Sequence, residues 1–262
     1  MEYIVVAVTA ALASGLTLYS GFGLGTILLP VFALFVPIEM AVAATAVVHA
    51  LNNVLKVGLL GNLADWRVVR RFGVPAVLAA FAGAWLLSVV TVLPGGWTWD
   101  AGMVSGEVTP VNILIGVLML GFAMLELSPR FERNPIPERY LPVGGVLSGF
   151  FGGVSGHQGA LRSAFLASTK IDAPSFVGTN AVIGLAVDAI RIATYGLLVF
   201  GGSVAGFASG PEGRLILVGT LAAFAGVLVG KFYLKKVTMS GVRRLTGVML
   251  LVIAVLLIAG VI

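Results

Sequence analysis

The sequence predicts an all-α membrane protein built from two inverted repeats. Each repeat is expected to contain an interrupted helical hairpin followed by three transmembrane helices. Three observations lead to this prediction: the composition, the matching layout of the two halves, and the placement of basic residues. Of the 262 residues, 59% are hydrophobic and only 10% are charged, whereas about a quarter of the residues of a soluble domain are charged. The chain is therefore expected to cross a membrane several times.

Composition also argues against several other classes of protein. The chain has no cysteine, so it has neither a disulfide framework nor a cysteine metal site. Its net charge of +5 comes from basic residues in short loops between apolar segments. In a membrane protein, this pattern reports orientation rather than binding to nucleic acid. The start, Met1–Val5, lacks the positively charged region that opens a signal peptide. We expect no cofactor and no nucleic-acid partner.

The two halves of the chain have the same order of apolar segments. The first repeat, 1–126, is predicted to contain a hairpin and three spans, at 3–35, 40–61, 73–94 and 111–126. The second repeat, 141–262, is predicted to contain the same elements at 141–167, 174–200, 213–230 and 245–262. At a constant offset of 134 residues, Ser14 aligns with Ser148 and Gly25 with Gly159. The shared layout indicates an internal repeat.

Basic residues predict that the repeats are inverted. One set of loops and adjoining helix ends contains twelve of them: Arg67, Arg70, Arg71, Arg130, Arg133, Arg139, Lys170, Lys231, Lys235, Lys236, Arg243 and Arg244. The opposite loops contain only Arg214, and the longest of them, 95–110, carries Asp100 and Glu107 but no basic residue. Basic loops face the cytoplasm. Span 40–61 then runs inward while its counterpart 174–200 runs outward, and both termini are non-cytoplasmic.

The two interrupted segments are predicted to be hairpins that enter the membrane from opposite faces. Each of their halves has roughly 11–18 residues, whereas a span needs about 20. Their tips are rich in glycine, which lets the backbone leave the helix and approach a ligand closely. The alternative is that all four pieces tilt and cross completely, which gives ten thin helices with the same topology.

Two of the predicted spans carry a polar stripe along one helical face. In the later span, the stripe recurs at spacings of four, four and three residues: Asn180, Gly184, Asp188 and Arg191. In the earlier span, the same spacing gives Thr45, His49, Asn53 and Lys56, with Asn52 beside them. Because polar groups are costly in lipid, the two stripes are expected to share a cavity.

Each stripe also has a purely structural explanation. Asp188 and Arg191 are equally compatible with an ion pair that holds helices together. Lys56 is close enough to the cytoplasmic end of its span to extend to the interface. The histidine and asparagines of the earlier span are also typical of interhelical hydrogen bonds.

The tips and stripes together predict an oxyanion site. Helices that restart after Gly25 and Gly159 direct their partly positive N-termini at the centre. Arg162 adds a planar group that can bind an oxyanion through two hydrogen bonds. The predicted substrate-binding set is Arg162, His157, Gln158, Gly159, Gly156, Gly23, Gly25, Thr26, His49, Asn52, Asn53 and Asn180. A coupling or ion-pair role is predicted for Asp188, Arg191 and Lys56.

Neither a metal site nor an enzyme is predicted. Two lone histidines and one deep carboxylate lack the spacing of a metal-ligand set. No nucleophile, base and acid can be assembled from the sequence, so hydrolytic chemistry has no support.

Three segments resemble a known family. Gly21–Pro30 (GFGLGTILLP), with Ala43–Val47 after it, resembles the first repeat of the TauE/SafE family of sulfite and organosulfur-anion exporters. Asp65, Trp66 and the arginines after them resemble that family's cytoplasmic loop, and Leu147–Gly159 resembles its second-repeat signature. The resemblance covers essentially the whole chain and implies a multi-pass permease. The tips depart from the family's consecutive glycines at Phe22, Leu24, His157 and Gln158.

The sequence and the resemblance together predict an inner-membrane transporter of a small sulfur oxyanion that works by alternating access. Asp188, His49 and His157 are the candidates for carrying a coupled proton. Two alternatives remain: an anion channel of the same fold, and a membrane accessory protein that transports nothing.

The predicted topology can be tested with single cysteines, because the chain has none of its own. Cysteines placed at Glu2 and at Ile262 should react with an impermeant thiol reagent in intact cells. Labelling of either position only after permeabilisation would contradict the inverted arrangement.

Overall fold

The computed structural model describes residues 1–20, 23–102, 104–128, 136–199, 201, 210–233 and 239–262. The described part of the first half forms five helices: α1 (Glu2–Ser20), α2 (Leu24–Ala33), α3 (Ile38–Leu60), α4 (Trp66–Thr91) and α5 (Pro110–Leu127). The second half repeats this order: α6 (Leu141–Ser155), α7 (Gly159–Leu166), α8 (Ala173–Leu198), α9 (Pro211–Tyr233) and α10 (Met239–Ile258). The described residues of each predicted segment are therefore mostly helical, and the division of the chain into two repeats stays a prediction.

Five of the described helical segments are long and apolar enough to cross a membrane: Ile38–Leu63, Trp66–Thr91, Pro110–Leu127, Ala173–Leu198 and Glu212–Gly230. The helix α10 covers most of the last predicted span, 245–262. Two shorter apolar helices, Glu2–Leu16 and Leu24–Ala33, make up the first interrupted segment. These findings confirm a multi-pass, all-α membrane protein. The opposite orientation of the two halves in a membrane stays a prediction.

Each interrupted segment breaks at a glycine whose backbone requires the left-handed region. Gly23, which precedes α2, has φ of 120°, and Gly156, which ends α6, has φ of 81°. Side chains with a β-carbon rarely adopt these angles. Gly25 lies inside the first turn of α2. This helix therefore begins at Leu24, earlier than the predicted restart after Gly25. Gly21 and Phe22 of the first tip lie outside the described residues.

The helices of the two halves pack crosswise. The helix α1 packs mainly on α9 of the other half, and its counterpart α6 packs mainly on α4. Counterparts also face each other directly, α3 against α8 and α5 against α10. The first helix of each half therefore packs on the other half, and α3 and α8 contact each other at the centre.

The contact between α4 and α6 depends on small residues. Gly145, Gly149 and Gly153 recur at every fourth residue along one face of α6. A β-carbon on any of them would overlap a backbone carbonyl of α4, those of Phe72, Ala76 and Ala80 respectively. Without side chains in between, the two backbones touch, as in small-residue contacts between membrane helices.

The loop at 95–110, predicted to be non-cytoplasmic, contains a β-hairpin that the sequence did not predict. Its strands are β1 (Trp97–Asp100) and β2 (Ser105–Val108), and the Asp100 side chain accepts a hydrogen bond from the N–H of Gly102 in the turn, at 2.7 Å. Trp99 Nε1 donates to the carbonyl of Ala259 at 2.7 Å, and the N–H of Glu107 donates to the carbonyl of Gly260 at 2.8 Å. The hairpin thus ties the end of α10 to the start of α5.

The other ends of α5 and α10 are joined by a buried ion pair. Arg243 Nε donates to Glu126 Oε2 at 2.9 Å, and Arg243 Nη2 donates to the carbonyl of Leu125 at 3.1 Å. The two side chains are 9% and 2% exposed.

The loops of each predicted side lie together. At one end, a cavity of about 380 Å³ is lined by the start of α3, the end of α4, the β2–α5 connection and the last residues of the chain. At the other end, Arg67 pairs with Glu138 at 2.9 Å, and the Asp65 N–H donates to Thr179 Oγ1 at 2.9 Å. Four basic residues of the predicted cytoplasmic set lie outside the described residues: Arg130, Arg133, Lys235 and Lys236.

The glycine stripe of α6 makes a stability prediction. Gly149→Ala should lower the free energy of unfolding by about 1–3 kcal/mol, the cost of overpacking, because its methyl group meets the Ala76 carbonyl. Gly121→Ala on α5 is the matched control, since a β-carbon there has no neighbour within 4 Å. Thermal unfolding in detergent measures both. Equal melting temperatures for the two variants would show that α4 and α6 do not depend on this contact.

Candidate functional site

The carboxylate of Asp188, on α8, is the centre of a buried hydrogen-bond network. His49 Nδ1 lies 2.6 Å from its Oδ2, and Asn53 Nδ2 donates to the same oxygen at 3.1 Å. Gln158 Nε2, from the second tip, donates to Oδ1 at 3.0 Å, as does Arg191 Nε at 2.9 Å. One fully buried carboxylate therefore joins α3, the second tip and α8.

Arg191 forms the ion pair that the sequence left open. Its Nη2 also lies 2.9 Å from Asp188 Oδ1, and both side chains are 0% exposed. The Nη1 group donates to the carbonyl of Gly152 at 3.4 Å, and the hydroxyl of Tyr195 donates to the carbonyl of Gly153. Asp188 and Arg191 thus hold the end of α6 against α8, which fits a structural role for this pair.

Arg162, one turn inside α7, belongs to the same network without bonding directly to Asp188 among its described hydrogen bonds. Its Nε donates to Asn180 Oδ1 at 2.8 Å, and its Nη1 donates to Gln158 Oε1 at 3.0 Å. The side chain of Gln158 therefore bridges Arg162 and Asp188. The carbonyl oxygens that hold the guanidinium are neutral, so its charge is not cancelled by a direct carboxylate partner in this set of contacts.

The restarting helices α2 and α7 place their N-termini beside this network. Neither N-cap residue caps its helix with a side chain: Gly23 has no side chain, and the Gln158 side chain is committed to Arg162 and Asp188. A β-carbon built on Gly25 would lie 3.4 Å from the carbonyl of Gly156 and 3.8 Å from His49 Cδ2. The two tips therefore meet next to the polar face of α3. Thr26 and Gly159 are buried in the first turns of α2 and α7.

Three predicted residues lie at the edge of the network. His157 Nδ1 lies 2.9 Å from Ser155 Oγ, and its ring stacks on Phe122 with centroids 5.0 Å apart. Its Nε2 is buried and has no hydrogen-bond partner among the described residues. Asn52 turns the other way and accepts from Ser14 Oγ at 2.9 Å. Lys56 is buried rather than extended to the interface, at 6% exposed, and its charge interacts with that of Arg162.

The buried groups of this region carry more positive than negative charge. Arg162 and Arg191 face one carboxylate, Asp188, and none of the three is more than 2% exposed. The excess among these three groups is one positive charge. Buried charge without a full complement of counter-charge is costly, so the arrangement favours an anionic ligand.

The sequence analysis missed several members of the site. Tyr195 extends the α8 stripe by one more interval of four residues, a spacing that could have identified it. Ser148 donates to the carbonyl of Gln158 at 2.9 Å and so fixes the second tip, but its role depends on the fold of the hairpin. Phe122 reaches the site from α5, and nothing in its local sequence marks it. The described residues contain no group of three or more histidines, aspartates or glutamates that could hold a metal ion.

A family model described as "Sulfite exporter TauE/SafE" matches residues 3–257. The chain belongs to the TauE/SafE family. Membership implies a membrane transporter of sulfur anions, and a transporter family agrees with the prediction that the chain is not an enzyme. Searches of the curated proteins and of the solved structures found no match.

The ion pair of this TauE/SafE protein makes a second stability prediction. Arg191→Leu should destabilise the fold by about 3–5 kcal/mol, because it leaves the carboxylate of Asp188 buried without its charged partner. Adding Asp188→Asn should recover much of the loss, because the remaining side chain is neutral. Unfolding of both variants in detergent gives the comparison. An Arg191→Leu protein as stable as the wild type would mean that this pair contributes nothing to the fold.

Proposed function

We propose that the protein transports sulfite, a sulfonate or a related sulfur oxyanion across the cell membrane by alternating access. The anion binds where the two tips meet, at Arg162 and the N-termini of α2 and α7. His157, Gln158 and the polar face of α3 supply further hydrogen bonds. Asn180, which accepts from Arg162, belongs to this proposal, whereas Asn52 is bonded to Ser14 and is left out of it.

One observation carries the proposal: two uncapped helix N-termini and a buried arginine converge on a region with excess positive charge. The N–H groups of residues 24–26 and 159–161 precede the first intrahelical hydrogen bonds, made by Ile27 and Arg162. Helix N-termini with free N–H groups are anion sites. An oxyanion has several acceptor oxygens and so can accept from both helices and from a guanidinium at once.

The crosswise packing supports two inverted repeats. Asn53 and Asp188 become equivalent positions when the repeat offset of 134 is shifted by one residue, and they hydrogen-bond to each other. In an inverted repeat, equivalent residues that touch would lie near the axis that relates the two halves. Inverted repeats with broken helices around a central site are typical of secondary transporters that alternate access by moving one element against another. An inner-membrane location, with both termini outside the cytoplasm, is part of the same proposal.

The alternatives differ in measurable ways. In proteoliposomes, a carrier gives sulfite flux that saturates with concentration and responds to the gradients of coupled ions. A channel of the same fold gives flux that does not saturate in the same range. An accessory protein gives neither flux nor stabilisation by any anion.

Arg162 provides the sharpest test of the site. We expect sulfite, or another of sulfate, thiosulfate and methanesulfonate, to raise the melting temperature of the wild type in detergent. Arg162→Ala should abolish the increase. Arg162→Lys keeps the charge but loses the planar fork, and should weaken binding by about 1–3 kcal/mol.

The matched control removes an arginine elsewhere. Arg70 is exposed, so Arg70→Ala should bind the same anion as the wild type. If Arg162→Ala binds as tightly as Arg70→Ala, the anion does not bind at Arg162.

A further inference from the structure

The network contains His49, whose protonation the proposed anion site does not require. His49 is hydrogen-bonded to Asp188, and its side chain is 12% exposed. The other members of the network are 3% exposed or less: Asn53, Gln158, Arg162, Asn180, Asp188 and Arg191. Within this described network, His49 is therefore the member with the most exposed side chain.

We propose that His49, held on Asp188, is the proton-binding group of the transporter, and that proton and anion binding support each other. This inference rests on the proposed function and assigns its coupling site. The chain contains two histidines, and the geometry separates them. His157 is 1% exposed and stacked on Phe122, without a carboxylate partner among its described contacts.

The contact with Asp188 determines where the proton goes. An ionised carboxylate only accepts hydrogen bonds, so neutral His49 carries its hydrogen on Nδ1, which faces Asp188 Oδ2 at 2.6 Å. The lone pair is then on Nε2. A proton added there makes an imidazolium, breaks no bond, and leaves the new charge beside a carboxylate that stabilises it.

The charged groups around His49 determine the sign of the coupling. Asp188 and Arg191 face it from α8, Arg162 acts on it from α7, and Lys56 lies two turns along its own face. The helix α2 has no titratable side chain, and the charged residues of α5 and α9 lie in the end turns of those helices: Glu126, Glu212, Arg214 and Lys231. The basic neighbours oppose protonation in the absence of an anion. An anion beside Arg162 offsets them, so anion binding raises proton affinity and the reverse holds by linkage.

Gln158 connects proton binding at His49 to anion binding at Arg162. Its amide donates to Asp188 and accepts from Arg162. When His49 is protonated, its charge strengthens the hold on Asp188 from the α3 side. The carboxylate then attracts the Gln158 amide less, and Arg162 is freer to turn to the anion.

The first experiment measures methanesulfonate binding to the wild type in detergent by titration calorimetry. Methanesulfonate keeps one negative charge throughout, so any proton taken up binds to the protein. We expect tighter binding at about pH 6 than at about pH 8, by a factor between about 5 and 150. Buffers with different ionisation enthalpies should show proton uptake with each bound anion.

Two histidine variants form a matched pair. His49→Gln keeps a donor for Asp188 but cannot titrate, so proton uptake per bound anion should vanish and affinity should no longer depend on pH. His157→Gln should weaken binding yet retain the uptake per bound anion. The opposite result, with uptake lost in His157→Gln and kept in His49→Gln, would overturn the assignment.

A measurement on the wild type covers the case in which His49→Gln does not fold. The two histidines give two ring signals in NMR of histidine-labelled protein, which His157→Gln distinguishes. The His49 signal should shift with pH, and methanesulfonate should move the midpoint of that shift upward. A His49 signal whose midpoint does not change when the anion is added refutes the coupling.

Anion binding without proton uptake refutes this inference alone. If none of the sulfur oxyanions tested binds at either pH, the proposed function fails and takes the inference with it.

Discussion

The fold of the central region depends on one buried carboxylate. Asp188 is 0% exposed and accepts hydrogen bonds from His49, Asn53, Gln158 and Arg191. A charge this deep is stable only when its partners are all in place. The position of α3, the conformation of the second tip and the packing of α8 are therefore mutually dependent. Arg162 donates instead to the neutral side chains of Asn180 and Gln158. Its guanidinium therefore has no direct charge partner in the described network.

The close approach of α4 and α6 has a comparable effect at a distance from the site. Glycines on α6 let its backbone touch α4, and this contact aims the end of α6, with Gly156, at the centre. The left-handed conformation of Gly156 then reverses the chain, so that α7 begins next to Asp188. Main-chain geometry thus positions the tip, and the Gln158 side chain holds it there.

Much of this arrangement could be predicted from residues alone. The polar stripes on α3 and α8 follow from helical spacing, and they do face each other. Hairpin breaks follow from glycine-rich segments, although the helix after the first break begins at Leu24 rather than after Gly25. Pairing could not be predicted, because it depends on tertiary contacts. No sequence feature favours Asn180 over Asp188 as the partner of Arg162, and none indicates that Asn52 bonds to Ser14.

The pair of helices α5 and α10 is fastened at both ends. The β-hairpin holds one end through Trp99 and Glu107, and Arg243 with Glu126 holds the other. Contacts at both ends oppose sliding of the two helices along each other, so the pair can serve as a frame. In a transport cycle, hinge motion would then fall on elements outside that frame, chiefly the crossed helices α1 and α6 with their tips. Opening on one side and closing on the other would then be a rocking of α1, α6 and their tips against the joined pair of α5 and α10.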